Sequence, residues 1–371
     1  MHTFQIGLIV VSLLVGSTIS YAERTIETPP KVKNVILMIG DGMGVAHVSA
    51  TMLCHNEAPL NMERAHGVGL VKTRSANNMV TDSAAAATAL ATGTKTNNGM
   101  IGVDADGNVL SNLVELSEKK GLSTGLVVTS AVTHATPAGF VAHVPHRSQE
   151  EKIAEAFVKS GLEVFIGGGQ KFFSNRRDKQ DLTKALSESG YTVAFNQDDV
   201  QKHKKGKLCA LLAPNQMPYC SDGRGDYLAT STQKALDILS DEGAKGFFLM
   251  VEGSLIDYAG HDNNIDRIVS ETKDFDQAVK VAFDFADKHP DTLVIVTADH
   301  GTGGLSIISN SKNFTDSEKG LKYTFGTTSH SAEMVPLFAY GKGAKWFSGV
   351  WDNTDIPKMI AQVLGLREKS K

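Results

Sequence analysis

Cysteine is scarce in this sequence, with three residues among 371. Cys54, Cys209 and Cys220 form no Cys-x-x-Cys pair and no spacing typical of metal ligands, which argues against a cysteine metal site. An oxidising compartment would leave one of the three unpaired. Cys209 and Cys220 flank a short segment that contains Pro214 and Pro218. Whether these two form a local disulfide is open, because the sequence does not give their Cα separation.

An excess of positive charge is also absent. Lysine and arginine total 37 against 41 aspartates and glutamates, and the formal net charge is −4. This balance gives no electrostatic footprint for nucleic acid or for an anionic membrane. The locally basic run Lys202–Lys207 is interpreted as a solvated loop.

Long apolar runs are missing after the N terminus. Ile6–Ile19 is shorter than the about 20 residues of a membrane span, and the small-x-small pattern Ser20-Tyr21-Ala22 follows it. We therefore predict a signal peptide over residues 1–22 and a periplasmic or secreted protein with no membrane span in the mature chain. An uncleaved anchor is the alternative, because only His2 could carry positive charge ahead of the run. Residues 23–371 show no repeat or low-complexity linker, and we predict a single domain there.

Apolar and β-branched runs predict strands that are buried on both faces, at Asn34–Ile39, Leu126–Thr129, Val164–Ile166, Phe247–Val251 and Leu293–Thr297. Helical patterns lie between them, at Leu110–Lys120, Gln149–Ser160, Tyr227–Ser240 and along the stripe Phe275, Val279, Phe283 and Ala286. Alternating strands and helices imply right-handed crossovers. We predict a three-layer α/β/α fold with a central, mostly parallel sheet.

Polar side chains follow four of these strands. They are Asp41 after the first, His134 and Thr136 after the second, Glu252, Asp257 and His261 after the fourth, and Asp299 and His300 after the last. Because ligands of parallel α/β sheets bind beyond the carboxyl ends of the strands, we expect these side chains to lie at one edge. Aspartate and histidine suit zinc, and carboxylates with hydroxyl oxygens suit magnesium. The sequence thus predicts a metal centre.

A serine stands at the start of another predicted helix. Thr81-Asp82-Ser83 precedes an alanine-rich run, and threonine or aspartate at this place is a natural N-cap. Ser83 would then lie in the first turn, at the positive end of the helix dipole, where phosphate binds well. A residue that only caps the helix is the alternative interpretation of Ser83.

Six segments in order along the chain resemble the successive motifs of alkaline phosphatases. They are NVILMIGDGMG (Asn34–Gly44), TDSAAAATALATG (Thr81–Gly93), THATPAGFVAH (Thr133–His143), VEGSLIDYAGHDNN (Val251–Asn264), VIVTADHGTGG (Val294–Gly304) and TTSHSAEMVPLFAYG (Thr327–Gly341). No single motif carries the resemblance, but together they spread over almost the whole mature chain. Residues 23–371 are therefore identified as one catalytic domain similar to a bacterial alkaline phosphatase.

The resemblance implies a ligand set for three ions. It assigns one zinc to Asp41, Asp299 and His300, a second zinc to Asp257, His261 and His330, and a magnesium-type ion to Asp41, Glu252 and Thr136. Two ions about 4 Å apart can clamp the attacking and leaving oxygens of an in-line phosphoryl displacement.

The resemblance also implies roles around the phosphate. Ser83 is the nucleophile and forms a phosphoseryl intermediate, while Arg147 binds two phosphate oxygens with its planar fork. Asp82 orients Arg147. His134, near the magnesium, and Tyr258 stand at positions that vary in the family, and we place both behind the direct ligands.

The implied activity is hydrolysis of small-molecule phosphate monoesters. The segment between His300 and His330 is short, so we expect an open site with broad specificity. A phosphodiesterase or related hydrolase of the superfamily is the nearest alternative, and a non-catalytic metal- or phosphate-binding protein is a further one. The sulfatase motif Cys-x-Pro-x-Arg does not resemble the sequence at Ser83. Dimerisation is common in the family, so a homodimer fits the resemblance, although no residue pattern derives it.

Overall fold

The computed structural model describes residues 28–54, 59–242, 245–309 and 320–366. The predicted signal peptide at residues 1–22 lies outside these ranges. Fourteen strands in the described residues are β1 Asn34–Gly40, β2 Gly67–Lys72, β3 Ser123–Ala131, β4 Val164–Gly168, β5 Thr192–Ala194, β6 Leu208–Leu211, β7 Phe247–Gly253, β8 Thr292–Thr297, β9 Gly301–Thr302, β10 Leu305–Ile307, β11 Tyr323–Phe325, β12 His330–Ser331, β13 Val335–Gly341 and β14 Gly349–Asp352.

Twelve α-helices in the same ranges are α1 Val45–Leu53, α2 Ser83–Thr92, α3 Leu113–Lys119, α4 Ala135–Ala138, α5 Glu150–Lys159, α6 Gln170–Ser174, α7 Leu182–Glu188, α8 Gln197–Lys202, α9 Tyr227–Glu242, α10 Leu255–His261, α11 Ile265–Lys288 and α12 Asp355–Leu364. Short 3₁₀ turns lie at Asn61–Arg64, Cys220–Asp222 and Ala344–Phe347. None of the described helices is long and apolar enough to cross a membrane.

Ten strands form one sheet in the order β14-β2-β13-β8-β1-β7-β3-β4-β6-β5. Every neighbouring pair is parallel except the two that β13 makes, with β2 and with β8. Helices α9 and α11 pack together on one face, and α3 and α12 cover the other. The predicted three-layer α/β/α fold with a mostly parallel sheet is confirmed.

The central strands are apolar because both of their faces are covered. All residues of β3, β4, β7 and β8 are buried, and β1 is buried beyond its first residue. A parallel strand between two helical layers has no solvent face, so it reads as a continuous apolar run rather than an alternating one. All five predicted strands are present, each within or close to its expected bounds.

The sheet order explains why distant polar residues meet. Strands β8, β1, β7 and β3 lie side by side, and their parallel direction brings their carboxyl ends to one edge. The four strands followed by the predicted polar side chains are these four.

The three cysteines are free thiols. Cys209 is buried in β6, and Cys220 is half-buried in a 3₁₀ turn. The disulfide between them that the sequence left open is therefore not formed.

Candidate active site and metal centre

Ser83 is the first residue of α2, a helix of ten residues in which seven are alanine or leucine and nine are buried. Asp82 is its N-cap, and the Asp82 carboxylate accepts a hydrogen bond from the Ala85 amide at 3.0 Å. Alanine stabilises the helix interior, and the cap satisfies an amide that the helix leaves unpaired. The helix start thus holds the Ser83 hydroxyl at the sheet edge, where its Oγ lies 3.2 Å from His300 Nε2.

The first candidate metal group is Asp41, Asp299 and His300, all fully buried. His300 Nε2 lies 3.4 Å from Asp41 Oδ1 and 3.2 Å from Asp299 Oδ2. On the other side of the ring, Nδ1 lies 3.3 Å from the Thr302 hydroxyl oxygen, whose proton goes to Asp257. His300 therefore donates through Nδ1, and its Nε2 lone pair faces two carboxylates. A cation suits this set of acceptors.

The second group is Asp257, His261 and His330. Helix α10 carries Asp257 and His261 four residues apart, so both face the same side. Each histidine donates a hydrogen bond from Nδ1 to a main-chain carbonyl. His261 donates to the Thr328 carbonyl at 2.7 Å, and His330 donates to the Thr81 carbonyl at 2.8 Å. The Nε2 atoms are 3.2 Å apart and face the Asp257 carboxylate. Backbone carbonyls that fix the tautomer in this way are typical around metal-binding histidines.

The third group is Asp41, Glu252 and His134, with the Thr136 hydroxyl 3.4 Å from Asp41 Oδ2. Asp41 belongs to both this group and the first, so its carboxylate would serve both ions. His134 lies close to Asp41 and Glu252, and its position behind the direct ligands stays a prediction. Glu252 Oε1, Asp41 Oδ1 and Asp299 Oδ2 are buried carboxylate oxygens without a hydrogen-bond partner. Buried acceptors need a partner, and divalent cations bound at this site would supply one to each of these oxygens.

The electrostatics of the side chains point the same way. Burial, reinforced by the charge of Asp299, raises the pKa of Asp41 well above its ordinary value, and burial raises that of Glu252 to about 8. Burial also raises the pKa of Asp299 to about 6 and lowers that of His300 to about 4. Carboxylates that repel one another and imidazoles that stay neutral are both stabilised by divalent positive charge.

Close backbone packing joins the first two groups. Gly42 follows Asp41 with φ +71°, and a Cβ there would lie 2.7 Å from the Thr302 hydroxyl and 2.8 Å from the Asp257 Cα. The Gly42 amide donates to Asp299 Oδ1 at 3.1 Å. Glycine at this turn therefore permits both the left-handed backbone and the approach of α10.

Arg147 lines the same cleft as these groups and contacts His134 of the third one. Its guanidinium Nη1 donates to Asp82 Oδ2 at 3.2 Å, and Nη2 lies 3.1 Å from His134 Nε2. Both ends of the fork are thus held while the side chain remains about one-quarter exposed. The cavity has a volume of about 320 Å³, and it is lined by Ser83, His134, Arg147, Tyr219, Asp257, Tyr258, His261, Asp262 and His330.

The sequence matches the alkaline phosphatase family model over residues 32–322. The chain belongs to the alkaline phosphatase family. Alkaline phosphatase 4 of Bacillus subtilis is 33% identical, over 97% of this chain and 95% of that protein. Alkaline phosphatase of Escherichia coli K12 is 31% identical, over 90% of this chain and 86% of that protein. The solved structure of alkaline phosphatase from the Antarctic bacterium TAB5 is 38% identical and has a TM-score of 0.85, covering 92% of this chain and 100% of that one.

Three residues of this alkaline phosphatase centre were missed by the sequence reasoning. Thr302 links Asp257 to His300, and it could have been found, because it stands inside the VIVTADHGTGG motif. Tyr219 and Asp262 line the cleft, with the Tyr219 hydroxyl 3.3 Å from Asp262 Oδ2. Tyr219 precedes a 3₁₀ turn outside every motif, and no signal in a single sequence marks it.

Proposed function

We propose that this family member hydrolyses phosphate monoesters through a phosphoseryl intermediate on Ser83. The observation that carries the proposal is the position of the Ser83 hydroxyl, at the start of α2 and 3.2 Å from His300, beside three groups of candidate metal ligands. A helix start and buried cation ligands converge where a phosphoryl group would be transferred.

Two zinc ions and one magnesium-type ion are the proposed cofactors. Asp41, Asp299 and His300 would hold one zinc, Asp257, His261 and His330 the other, and Asp41, Glu252 and Thr136 the third ion. When bound, such ions neutralise the charge that develops on the phosphoryl, attacking and leaving oxygens. A variant of the TAB5 enzyme was solved with Mg bound in its M3 site, and that finding supports magnesium as the third ion here.

The reaction proposed for the chain's own residues has two displacements. Ser83 Oγ gives its proton to solvent and attacks phosphorus as the alkoxide, while the bond from phosphorus to the alcohol oxygen breaks and that oxygen takes a proton from solvent. A water oxygen then bonds to phosphorus as the bond to Ser83 Oγ breaks, which releases inorganic phosphate and restores the serine hydroxyl with a proton from the water. Arg147 would hold two non-bridging oxygens with its fork, while Asp82 fixes its orientation. The main-chain amides at the start of α2 also face the transferred group.

A pair of substrates tests the proposal. The metal-loaded protein should hydrolyse phenyl phosphate with a far higher kcat/KM than methyl phenyl phosphate, because Arg147 occupies the space of a second ester group. Preference for the diester would support the phosphodiesterase alternative. Absence of turnover at full metal occupancy, with Ser83→Ala unchanged in every measured property, would support the non-catalytic one.

The remaining features of the proposal concern the whole chain. We propose removal of residues 1–22, export of one catalytic domain over 23–371, and Tyr258 as a residue that borders the phosphate. N-terminal sequencing of the secreted or periplasmic protein tests the cleavage. The homodimer that the family resemblance allows is tested by light scattering of the purified protein, and a monomeric mass would exclude it.

A further inference from the structure

We propose that a second cavity beside the phosphate cleft binds the alcohol half of the ester and favours flat aromatic groups. This inference rests on the proposed hydrolysis of monoesters. The cavity measures about 430 Å³ and shares two walls, Tyr219 and Tyr258, with the smaller cleft that contains Ser83. The two cavities therefore adjoin at these tyrosines, and we place the group attached to a phosphate at Ser83 across that boundary.

The position of this alcohol cavity suits a leaving group. Helix α10 supplies Leu255 and Tyr258 to its wall, and the same helix carries Asp257 and His261 of the second candidate metal group. Because Ser83 Oγ lies beside His300 of the first group, we assign the leaving oxygen to the second group, and the rest of the alcohol then extends along α10. The sequence favoured a centre that ignores the alcohol, and this wall gives the alcohol a place to bind.

The lining of the alcohol cavity selects for apolar, planar groups. Pro214, Met217, Pro218 and Leu255 contribute apolar surface, and the two tyrosine rings add aromatic faces. Aromatic groups bind well against such rings and against a methionine thioether. The side-chain amides of Asn215 and Gln216 also line it and can bond a heteroatom on the group.

Negative charge at the mouth disfavours anionic alcohols. Asp222 lines the alcohol cavity and Asp262 lines the phosphate cleft, and both are near one cation, Arg267, at 3.6 and 3.5 Å. Two carboxylates against one guanidinium leave an excess negative charge there. A second phosphate or a carboxylate on the alcohol would be repelled.

The wall is held in place before any ligand binds. The Met217 amide donates to the Thr129 carbonyl of β3 at 2.9 Å, and the Gly169 amide donates to the Asn215 carbonyl at 2.6 Å. Arg224, with a fully buried side chain, donates to the Pro218 carbonyl at 2.8 Å. Its other partners are two carboxylates of α11, Glu271 at 2.6 Å and Asp274 at 2.7 Å.

Tyr219 itself is also fixed. The Arg267 guanidinium lies over its ring at 4.1 Å, and its hydroxyl bonds to Asp262. A wall that is already ordered loses little conformational freedom on binding, so the contact area translates more fully into affinity.

The test uses two esters whose alcohols have nearly equal acidity, 3-phenylpropyl phosphate and propyl phosphate. We expect the metal-loaded wild-type protein to favour the phenyl ester in kcat/KM by about 10-fold or more, from burial of one ring. Because both esters give the same phosphoserine, the kcat values should be similar when its breakdown limits turnover. Tyr219→Ala and Met217→Gln should each lower the ratio to less than about 3-fold, whereas Tyr219→Phe should keep it.

The control is Tyr323→Ala, which removes a 40% exposed tyrosine of β11 outside both cavities and should leave the ratio unchanged. Turnover of both esters with a wild-type ratio near one, or a ratio that survives both cavity variants, overturns the alcohol cavity alone. Absence of turnover with either ester overturns the proposed function instead. The two failures are thus distinguishable.

Discussion

Replacement of Arg147 by lysine is the perturbation whose effect follows most directly from the geometry. The guanidinium is held at both ends, by Asp82 at 3.2 Å and by His134 at 3.1 Å, which aims its remaining N–H groups into the cleft. A lysine ammonium keeps the charge but is a single point, so it cannot present two parallel donors. The variant therefore loses at least one of the two bonds that we propose to a phosphate.

The magnitude can be worked from the hydrogen bonds. One bond to a charged group contributes about 1.5–3 kcal/mol, and each 1.4 kcal/mol corresponds to about tenfold. Because Arg147 is about one-quarter exposed, water weakens the loss, and the lower part of the range applies. We expect about a 10- to 50-fold lower kcat/KM for Arg147→Lys, and about 100-fold or more for Arg147→Ala, which loses both bonds.

The assay measures kcat/KM for phenyl phosphate together with the inhibition constant of inorganic phosphate. In each Arg147 variant kcat/KM should fall and the inhibition constant of phosphate should rise, because free phosphate offers Arg147 the same oxygens as the ester. Asp82→Asn is the matched control, since asparagine can still cap α2 while it no longer pairs with the guanidinium charge, and its loss should be smaller. An unchanged inhibition constant for phosphate in Arg147→Ala would refute the assignment of Arg147 to phosphate.

Three further predictions concern the nucleophile, the ions and the fold. Ser83→Ala should lower monoester hydrolysis by about 10³-fold or more, while its metal content by mass spectrometry stays at the wild-type level; a variant with most of its activity contradicts this. A chelator should abolish activity and lower the melting temperature, because the buried carboxylates lose their counter-charges. Zinc with magnesium should restore both the activity and the melting temperature. Full activity of protein shown to be metal-free would contradict the proposed metal requirement. Arg224→Met should lower the free energy of unfolding in urea by about 3–5 kcal/mol, because two buried carboxylates lose their partner. The exposed Arg177→Met is its control, and a change below about 1 kcal/mol in Arg224→Met would contradict the expectation.

Sequence patterns predicted the elements that carry one strong local signal, either a continuous apolar run or a helix cap followed by alanines. The central strands are continuous apolar runs because helices cover both of their faces, and α2 is specified by its aspartate cap and alanine run. Strand β2 was not predicted, since two of its three buried positions are glycines and its apolar Val68 and Leu70 lie on the more exposed side. The four-residue β6 is too short for its run to stand out.

Some residues of the candidate site could be predicted from local sequence patterns, and others could not. Side chains directly after the central strands could be gathered at one edge by the geometry of parallel sheets. His330 comes from β12, a two-residue strand paired with β9, and only the family motif pointed to it. Tyr219 reaches the cleft because Arg224 and the main chain of β3 hold its segment, and such long-range contacts leave no local pattern.

The most direct test of the account is the chemical state of Ser83 during turnover. The metal-loaded protein is mixed briefly with a phosphate monoester, quenched in acid and digested, and the peptide that contains Ser83 is analysed by mass spectrometry. The account predicts one added phosphoryl group on Ser83, absent when the monoester is omitted. Hydrolysis of the monoester with Ser83 unmodified, or with the phosphoryl group on another residue, would contradict it.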